Sequence, residues 1–524
     1  MSLHRLVDGS AIRTPCIDRP FSNFDFVDRE YGDVSSIRRL FSQARSYGCR
    51  TIVIENIPAE GVLAEDNEEL KYLFPDFQPT GLQRLSFWKS KFDTSEEIPQ
   101  TTCVADSFLG FAILKRDSVP SRGIDSWYVF ESVLVKYPHQ HNCVRGASDF
   151  HVRIAGSEFV VSGVLYCQQN QLNKACAQVA LRCLLETRDP ERDLSYRQIN
   201  EWAFQQISSY EPRAGLDVQG IRRVLRERGV GFLDIDYQDR PQQMRQDLPY
   251  QKLLYAGIES GGGALLGFHF TGQGLSDETR HIIPFFGHTF NQDTWLPHAE
   301  VAYFHVGEDT KYLPSEYWSS SFIGHDDNFG SNFCVPRIYI GPDQADYVVE
   351  LFPDGCGCSG MIAEAVASDY LYSILPELTH CSHPWLERLI DYVATQKVVL
   401  RAICVTADEY TAHWRCMEDW DRNQENPALC AFLLRHLPKR LWMVEVSVPE
   451  LFPANLRKVG EIVLDATESP SPDRDFSLFV CARVPGNLLL LHKVTPEGIP
   501  SFAQVESKLL SHTPLYDCER GFSP

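Results

Sequence analysis

A chain of 524 residues with 44% hydrophobic and 12% aromatic content is too long for one core and too apolar for wholesale disorder, so about three domains are expected. A formal net charge of −21, with no basic run to offset it, excludes general binding to nucleic acid or to an anionic membrane surface. The 16 cysteines are scattered singly, the first residues lack a secretory apolar core and no apolar run reaches the length of a membrane span, so the expectation is a cytoplasmic protein with reduced thiols.

Residues 33–55 read as a helix followed by a strand. Asp33 or Ser35 can cap the helix, Ile37, Leu40, Phe41 and Ala44 line one face, and Gly48 ends it. Thr51–Glu55 then reads as a buried strand. The acidic stretch with Glu65, Asp66, Glu68 and Glu69 is expected to be a solvated helix face. From Ser107 the pattern turns to strand: Phe108–Leu114, Trp127–Phe130, Val133–Val135, and a hairpin of His151–Ile154 with Phe159–Tyr166.

A glutamine-rich loop from Cys167 then leads to Cys176, which opens a helix that is apolar nearly all round. Two further helices are expected, over Ser195–Ile207 and over Asp217–Arg228 with Gly229 as its stop. Strands resume at Gly231–Ile235, Leu253–Ile258, Leu265–Phe270, His281–Phe290 and Phe322–Ile323, with Gly261–Gly263 as a flexible turn. In the last third, Ile362–Ile374 and Trp385–Thr395 read as helices. Val398–Val405, Trp442–Val448, Glu461–Asp465 and Phe476–Val484 read as strands. The fold class is α+β, and the expected domains are 1–150, 151–345 and 346–524, the outer two mixed α/β domains without an assigned role.

Cys176 sits where unpaired backbone N–H groups and the positive end of a helix dipole stabilise a thiolate. Taken alone, it is better explained as a small buried residue. Thiol catalysis needs three further parts: a histidine to carry the proton, an acid to orient it, and donors for the oxyanion. His281 opens an apolar strand, Asp326 and Asp327 end the strand Phe322–Ile323, and Gln169 precedes Cys176 by seven residues. Gln168 and Gln171 are rivals of Gln169. His288 is the reserve base and Asp293 a rival acid, while Asp326-Asp327-Asn328 is equally a polar turn that holds its own backbone. A one-residue shift flips a strand side chain to the other face, so Asp326 and Asp327 both remain open.

The segment Gln169–Leu181 resembles the Gln…Cys-Ala/Gly-x-x-Ala-Leu signature of papain-like cysteine peptidases, and is most similar to bacterial peptidases of the bacteriocin-processing type. The resemblance covers roughly residues 150–345. It extends to the Gly-Leu entry at Gly215-Leu216 and to the corner Asp326…Gly330. It implies a central papain-like domain with Cys176 as nucleophile, His281 as general base and acid, Asp326 as orienting residue and Gln169 as oxyanion donor. The family's usual spacing from glutamine to cysteine is six residues, and its His and Asp strands are often joined directly; here Asn291–Trp295 lies in a long insertion between them.

The function expected is a thiol hydrolase, most simply a cysteine peptidase acting on a protein or peptide substrate. An amine-accepting acyl transferase of the transglutaminase kind and a catalytically silent recognition module are the alternatives. No cofactor is expected, and no metal: Cys356, Cys358, His380, Cys381 and His383 have the residue types for zinc, but Cys-x-Cys is tighter than the usual knuckle. Gly261–Gly263 and the insertion before Asp326 are offered as substrate-gating loops.

Overall fold

The computed structural model describes residues 2–98, 104–136, 142–172, 175–204, 215–238, 248–270, 279–290, 312–378, 383–415, 427–470, 477–494, 500–506 and 512–516. Three largely antiparallel sheets with helices packed against them make a mixed α+β architecture.

The first sheet runs in chain order through β1 (Ser10–Arg13), β2 (Thr51–Asn56), β3 (Gln78–Trp88), β4 (Phe108–Val119) and β5 (Ile124–Leu134). One face is covered by the helix Ser35–Ser46, which buries Ile37, Leu40, Phe41 and Ala44 against Ile52, Ile54, Leu85 and Phe87. Their spacing is that of a single helical stripe. Neither Asp33 nor Ser35 caps this helix; Val34 stands at the cap position without a side-chain bond. The acidic helix Val62–Leu73 departs from expectation at Asp66, which is buried and ion-paired with Lys115 of β4. A buried cation draws that carboxylate inward, while Glu65 and Glu68 stay exposed.

β6 (Asn142–Val144) crosses to pair with the second sheet, and the chain then returns as the hairpin β7 (Ser148–Ile154) and β8 (Ser157–Gly163). Phe150, Val152, Ile154 and Val161 of this hairpin join the core of the first sheet. The expected boundary at 150/151 therefore runs through β7.

The second sheet contains β9 (Phe232–Asp236), β10 (Ala264–Phe270), β11 (Thr279–Phe290), β13 (Ser319–Asp326), β14 (Gly330–Pro336) and β15 (Ala345–Leu351), in the order β14-β13-β11-β10-β15-β9. β15 thus belongs to this sheet although it begins at the expected boundary near 345. The helix Cys176–Arg188 lies on one face, with Ala180, Leu181 and Leu184 against Leu265, Ile282 and Phe286. On the other face lies a helix, Tyr250–Ser260, where the apolar run Leu253–Ile258 predicts a strand. Tyr250, Leu253, Leu254 and Ile258 share one helical face and are all buried; a short apolar run cannot by itself tell a buried helix from a buried strand. The Gly261–Gly263 turn is packed rather than gating. Gly263 O accepts from Leu351 N at 3.0 Å, and a Cβ on Gly262 would lie 1.8 Å from the Leu351 carbonyl oxygen.

The third sheet has the order β12 (Leu313–Pro314), β16 (Val399–Thr406), β17 (Arg440–Ser447), β19 (Gly460–Asp465), β20 (Phe479–Val484), β21 (Asn487–Val494) and β22 (Pro500–Glu506). Helices Gly360–Ile374 and Pro384–Ala394 pack on it through Leu371, Leu386 and Leu389. It is joined to the second sheet by a buried cluster: Arg401 binds both oxygens of Glu259, at 3.2 and 3.0 Å, and also reaches Glu445 at 3.2 Å. Among the described residues, no helix is long and apolar enough to cross a membrane.

Candidate functional site

The Cys176 helix begins without a side-chain cap, with Ala175 at the cap position. Its first-turn N–H groups are therefore not taken by a capping side chain, and Cys176 is half-buried beside them. The rest of the helix is anchored in the core, which fixes where its N-terminus points. Arg182 also holds it from below, bonded to Glu186 at 2.8 Å and to Glu131 of β5 at 2.6 Å.

His281 lies near the start of β11, opposite Phe268 of β10, whose ring meets it edge to face at 5.7 Å. The Cys176 side chain lies close enough to it to be one of the groups that raise its pKa. Its Nε2 lies 3.3 Å from Asp326 Oδ2 and 3.5 Å from Asp327 Oδ1. Burial alone would favour the neutral ring, but the bond to Asp326, the nearby Cys176 side chain and the charges of Asp327 and Asp326 push the His281 pKa up to about 10.

The two aspartates differ in how they are held. Asp326 Oδ1 accepts the backbone N–H groups of Asn328 at 2.9 Å and Phe329 at 3.0 Å, which leaves Oδ2 for His281. Burial raises the Asp326 pKa, yet the bond and charge of His281 and those two N–H groups hold it below the usual carboxylate range. Asp327 is pushed up to about 6 by burial and by the charge of Asp326. Its Oδ1 accepts from Asn328 Nδ2 at 3.2 Å, and its Oδ2 has no hydrogen-bond partner. Asp326 is thus the rigidly placed acid and Asp327 the second, costlier one.

The glutamines separate equally clearly. Gln168 is a brace, its Oε1 accepting from Ser36 Oγ at 2.7 Å and from Val129 N at 2.9 Å. Gln169 donates its amide to Asn328 Oδ1 at 2.9 Å, tying the loop before Cys176 to the turn after Asp326. Gln171 is exposed. His288 is fully buried, with Nε2 2.8 Å from Glu259, and belongs to the cluster under the third sheet. Asp293 lies outside the described residues. So do His380 and Cys381; Cys356 Sγ contacts Cys404 Sγ at 3.4 Å, Cys358 is buried, and His383 caps a helix by accepting from Trp385 N.

Two contributions were not foreseen from sequence. The helix Ser35–Ser46 of the first sheet grips the turn that carries the acids: Arg39 donates to Ser331 O and Asn332 O, both at 2.7 Å, and Gln43 donates to Ser331 O at 2.7 Å. Tyr347 of β15 lies over Gly267, where a Cβ would come within 2.3 Å of the ring, and its hydroxyl is raised by burial and by the neighbouring Cys176 thiol. No local pattern marks either, because partners so remote in sequence share no periodicity. Comparison with protein-family models, with curated proteins and with solved structures returns no match.

Proposed function

We propose that this chain is a thiol hydrolase, in the first instance a cysteine peptidase cleaving a peptide or isopeptide bond. The observation that carries the reading is the convergence of four residues from three elements. Cys176 at a helix N-terminus lies beside His281, whose Nε2 faces Asp326 and Asp327. A helix bearing the thiol, set against an antiparallel sheet bearing the histidine and acid on neighbouring strands, supports taking the second sheet and its helices as a papain-like domain between two flanking units.

In this reading the Cys176 thiolate attacks the carbonyl carbon, and the C–S bond forms as the carbonyl π pair moves to oxygen. Collapse of that intermediate expels the amine, which takes its proton from His281. Water then attacks the thioester, giving a proton to His281, and collapse releases the acid and regenerates the Cys176 thiolate beside protonated His281. First-turn N–H groups of the Cys176 helix and the Gln169 amide are the donors proposed for the oxyanion. Asp326 fixes the ring and stabilises its charged form.

An electrophilic thiol probe tests this on the full chain. Labelling confined to Cys176 and reduced about 100-fold by His281→Ala is the expected result; labelling of Cys176 at an unchanged rate in that variant would remove the activated nucleophile. Product analysis with an added amine separates hydrolysis from acyl transfer.

A further inference from the structure

One orienting acid is enough for a catalytic histidine, and this site has two. Both carboxylates address the same atom, His281 Nε2, at 3.3 and 3.5 Å. A second buried carboxylate costs desolvation without adding orientation. Asp327 is 4% exposed, and its Oδ2 is without a hydrogen-bond partner. These features need a cause other than proton transfer.

We propose that His281, Asp326 and Asp327 hold one divalent cation of the kind that prefers tetrahedral nitrogen and oxygen ligands, zinc above all, and that its binding switches off Cys176. The shutting-off rests on the thiol-hydrolase reading; the binding does not.

The two separations leave room for a metal between the ligand atoms. A charge-assisted N–H···O bond settles at about 2.7–2.9 Å, so both contacts are long for an ion pair. Zinc bonds of about 2.0–2.1 Å in a tetrahedron put neighbouring ligand atoms about 3.3 Å apart. Magnesium at a similar bond length in an octahedron asks for about 2.9 Å. The two separations from His281 Nε2, 3.3 and 3.5 Å, lie near the tetrahedral edge, and the three ligand atoms all lie within 4.8 Å of one another. Two carboxylates balance the charge of the ion, and the imidazole supplies the borderline nitrogen that zinc favours. The surrounding bonds are those of a ligand shell: Asn328 and Phe329 N–H fix Asp326, and Asn328 Nδ2 fixes Asp327. His281 is 14% exposed, which leaves an approach from solvent and a fourth position for water.

Binding at Nε2 expels the proton there to solvent. The ring keeps its proton on Nδ1 and can no longer take up a second one, so it cannot accept and return the proton that acyl transfer requires.

The test titrates zinc chloride against a chromophoric chelator, using the full chain as Cys176→Ala so that the thiol cannot bind. One zinc per chain is expected, with Asp327→Asn in the same background weakening it about 10-fold or more. Equal affinity in the two proteins, or no zinc bound at all, overturns the proposal. Cobalt(II) added to the unsubstituted chain covers the case in which a variant fails to fold. Visible bands of tetrahedral cobalt without a thiolate charge-transfer band support the assignment, whereas a thiolate band or an absence of tetrahedral bands refutes it. Probe labelling of Cys176 in metal-free protein reports the thiol-hydrolase reading separately. Labelling without zinc binding defeats only the metal site, and zinc binding without labelling defeats only the hydrolase.

Discussion

Arg39 Nε lies 2.7 Å from the carbonyl oxygen of Ser331, so a helix packed on the first sheet holds the turn of the second sheet that carries Asp326. Gln43 bonds the same carbonyl at 2.7 Å and takes the Ser331 hydroxyl at 2.6 Å. Gly330 completes the fit, with φ at +115° and a would-be Cβ 2.7 Å from Arg39 Cδ. Arg39→Ala removes two hydrogen bonds from a charged donor, each worth about 1.5–3 kcal/mol. The expected outcome is a loss of about 3 kcal/mol in denaturant unfolding, the low end because Arg39 is only half-buried, together with slower probe labelling of Cys176. An undiminished labelling rate in a destabilised variant would show that the turn keeps its acids in place without the helix.

Asp326 and Asp327 are separated by their anchors. Asp326→Asn keeps the shape but loses the charge that stabilises protonated His281, while its backbone partners at 2.9 and 3.0 Å remain. On the thiol-hydrolase reading, turnover is expected to fall by about two to four orders of magnitude, as for the orienting acid of a Ser-His-Asp triad. Asp327→Asn should cost far less, since that carboxylate stands at 3.5 Å and is partly protonated near neutral pH, its pKa being about 6. Steady-state rates of the two variants at one pH check the order, and a larger loss in Asp327→Asn would reverse the assignment.

The parts of this arrangement legible in sequence are those with a local cause. The helix after Asp217 is one: Asp217 accepts from Gly220 N at 2.7 Å, and Gly229 at φ +76° ends it. The Cys176 helix, the His281 strand and the Asp326 turn were readable for the same reason, as boundaries between hydrophobic runs. Leu253–Ile258 was not, because an apolar segment buried on several sides loses its period. The brace formed by Gln168 was also hidden. Its partners Ser36 and Val129 are remote in sequence, and only the fold shows that Gln169, not Gln168, reaches the acid turn.

Glu259 is fully buried and held far below the usual carboxylate range: burial opposes this, but Arg401, His288 and Arg145 outweigh it. Removing the main partner with Arg401→Ala strands that charge and is expected to destabilise by about 3–5 kcal/mol. Adding Glu259→Ala to the same chain takes away the stranded charge and should restore much of the loss. Denaturant midpoints of the single and double variants measure this coupling; strict additivity would mean that the contact joining the second and third sheets has little net worth.

Glu350 on β15 shows the opposite behaviour. It is fully buried, and its Oε2 accepts from Ser359 Oγ at 2.7 Å while Oε1 has no partner. Burial pushes its pKa up to about 8 from the ordinary 4.5 of a glutamate, despite the bonds from Ser359 and Gly360. The folded chain therefore keeps a proton that the unfolded chain has already lost at neutral pH. The stability this group contributes is complete below the unfolded value and is lost as pH rises through 4.5 toward 8. Glu364, also raised to about 8 by burial and by Glu316, acts in the same direction. Melting temperature should thus fall from pH 5 to pH 8, with Glu350→Gln flattening part of the slope and gaining most at the alkaline end. Thermal scans of both proteins across that range decide the matter. A parallel pair of curves would mean that Glu350 is solvated by a path the packing of Ser359 against β15 does not reveal.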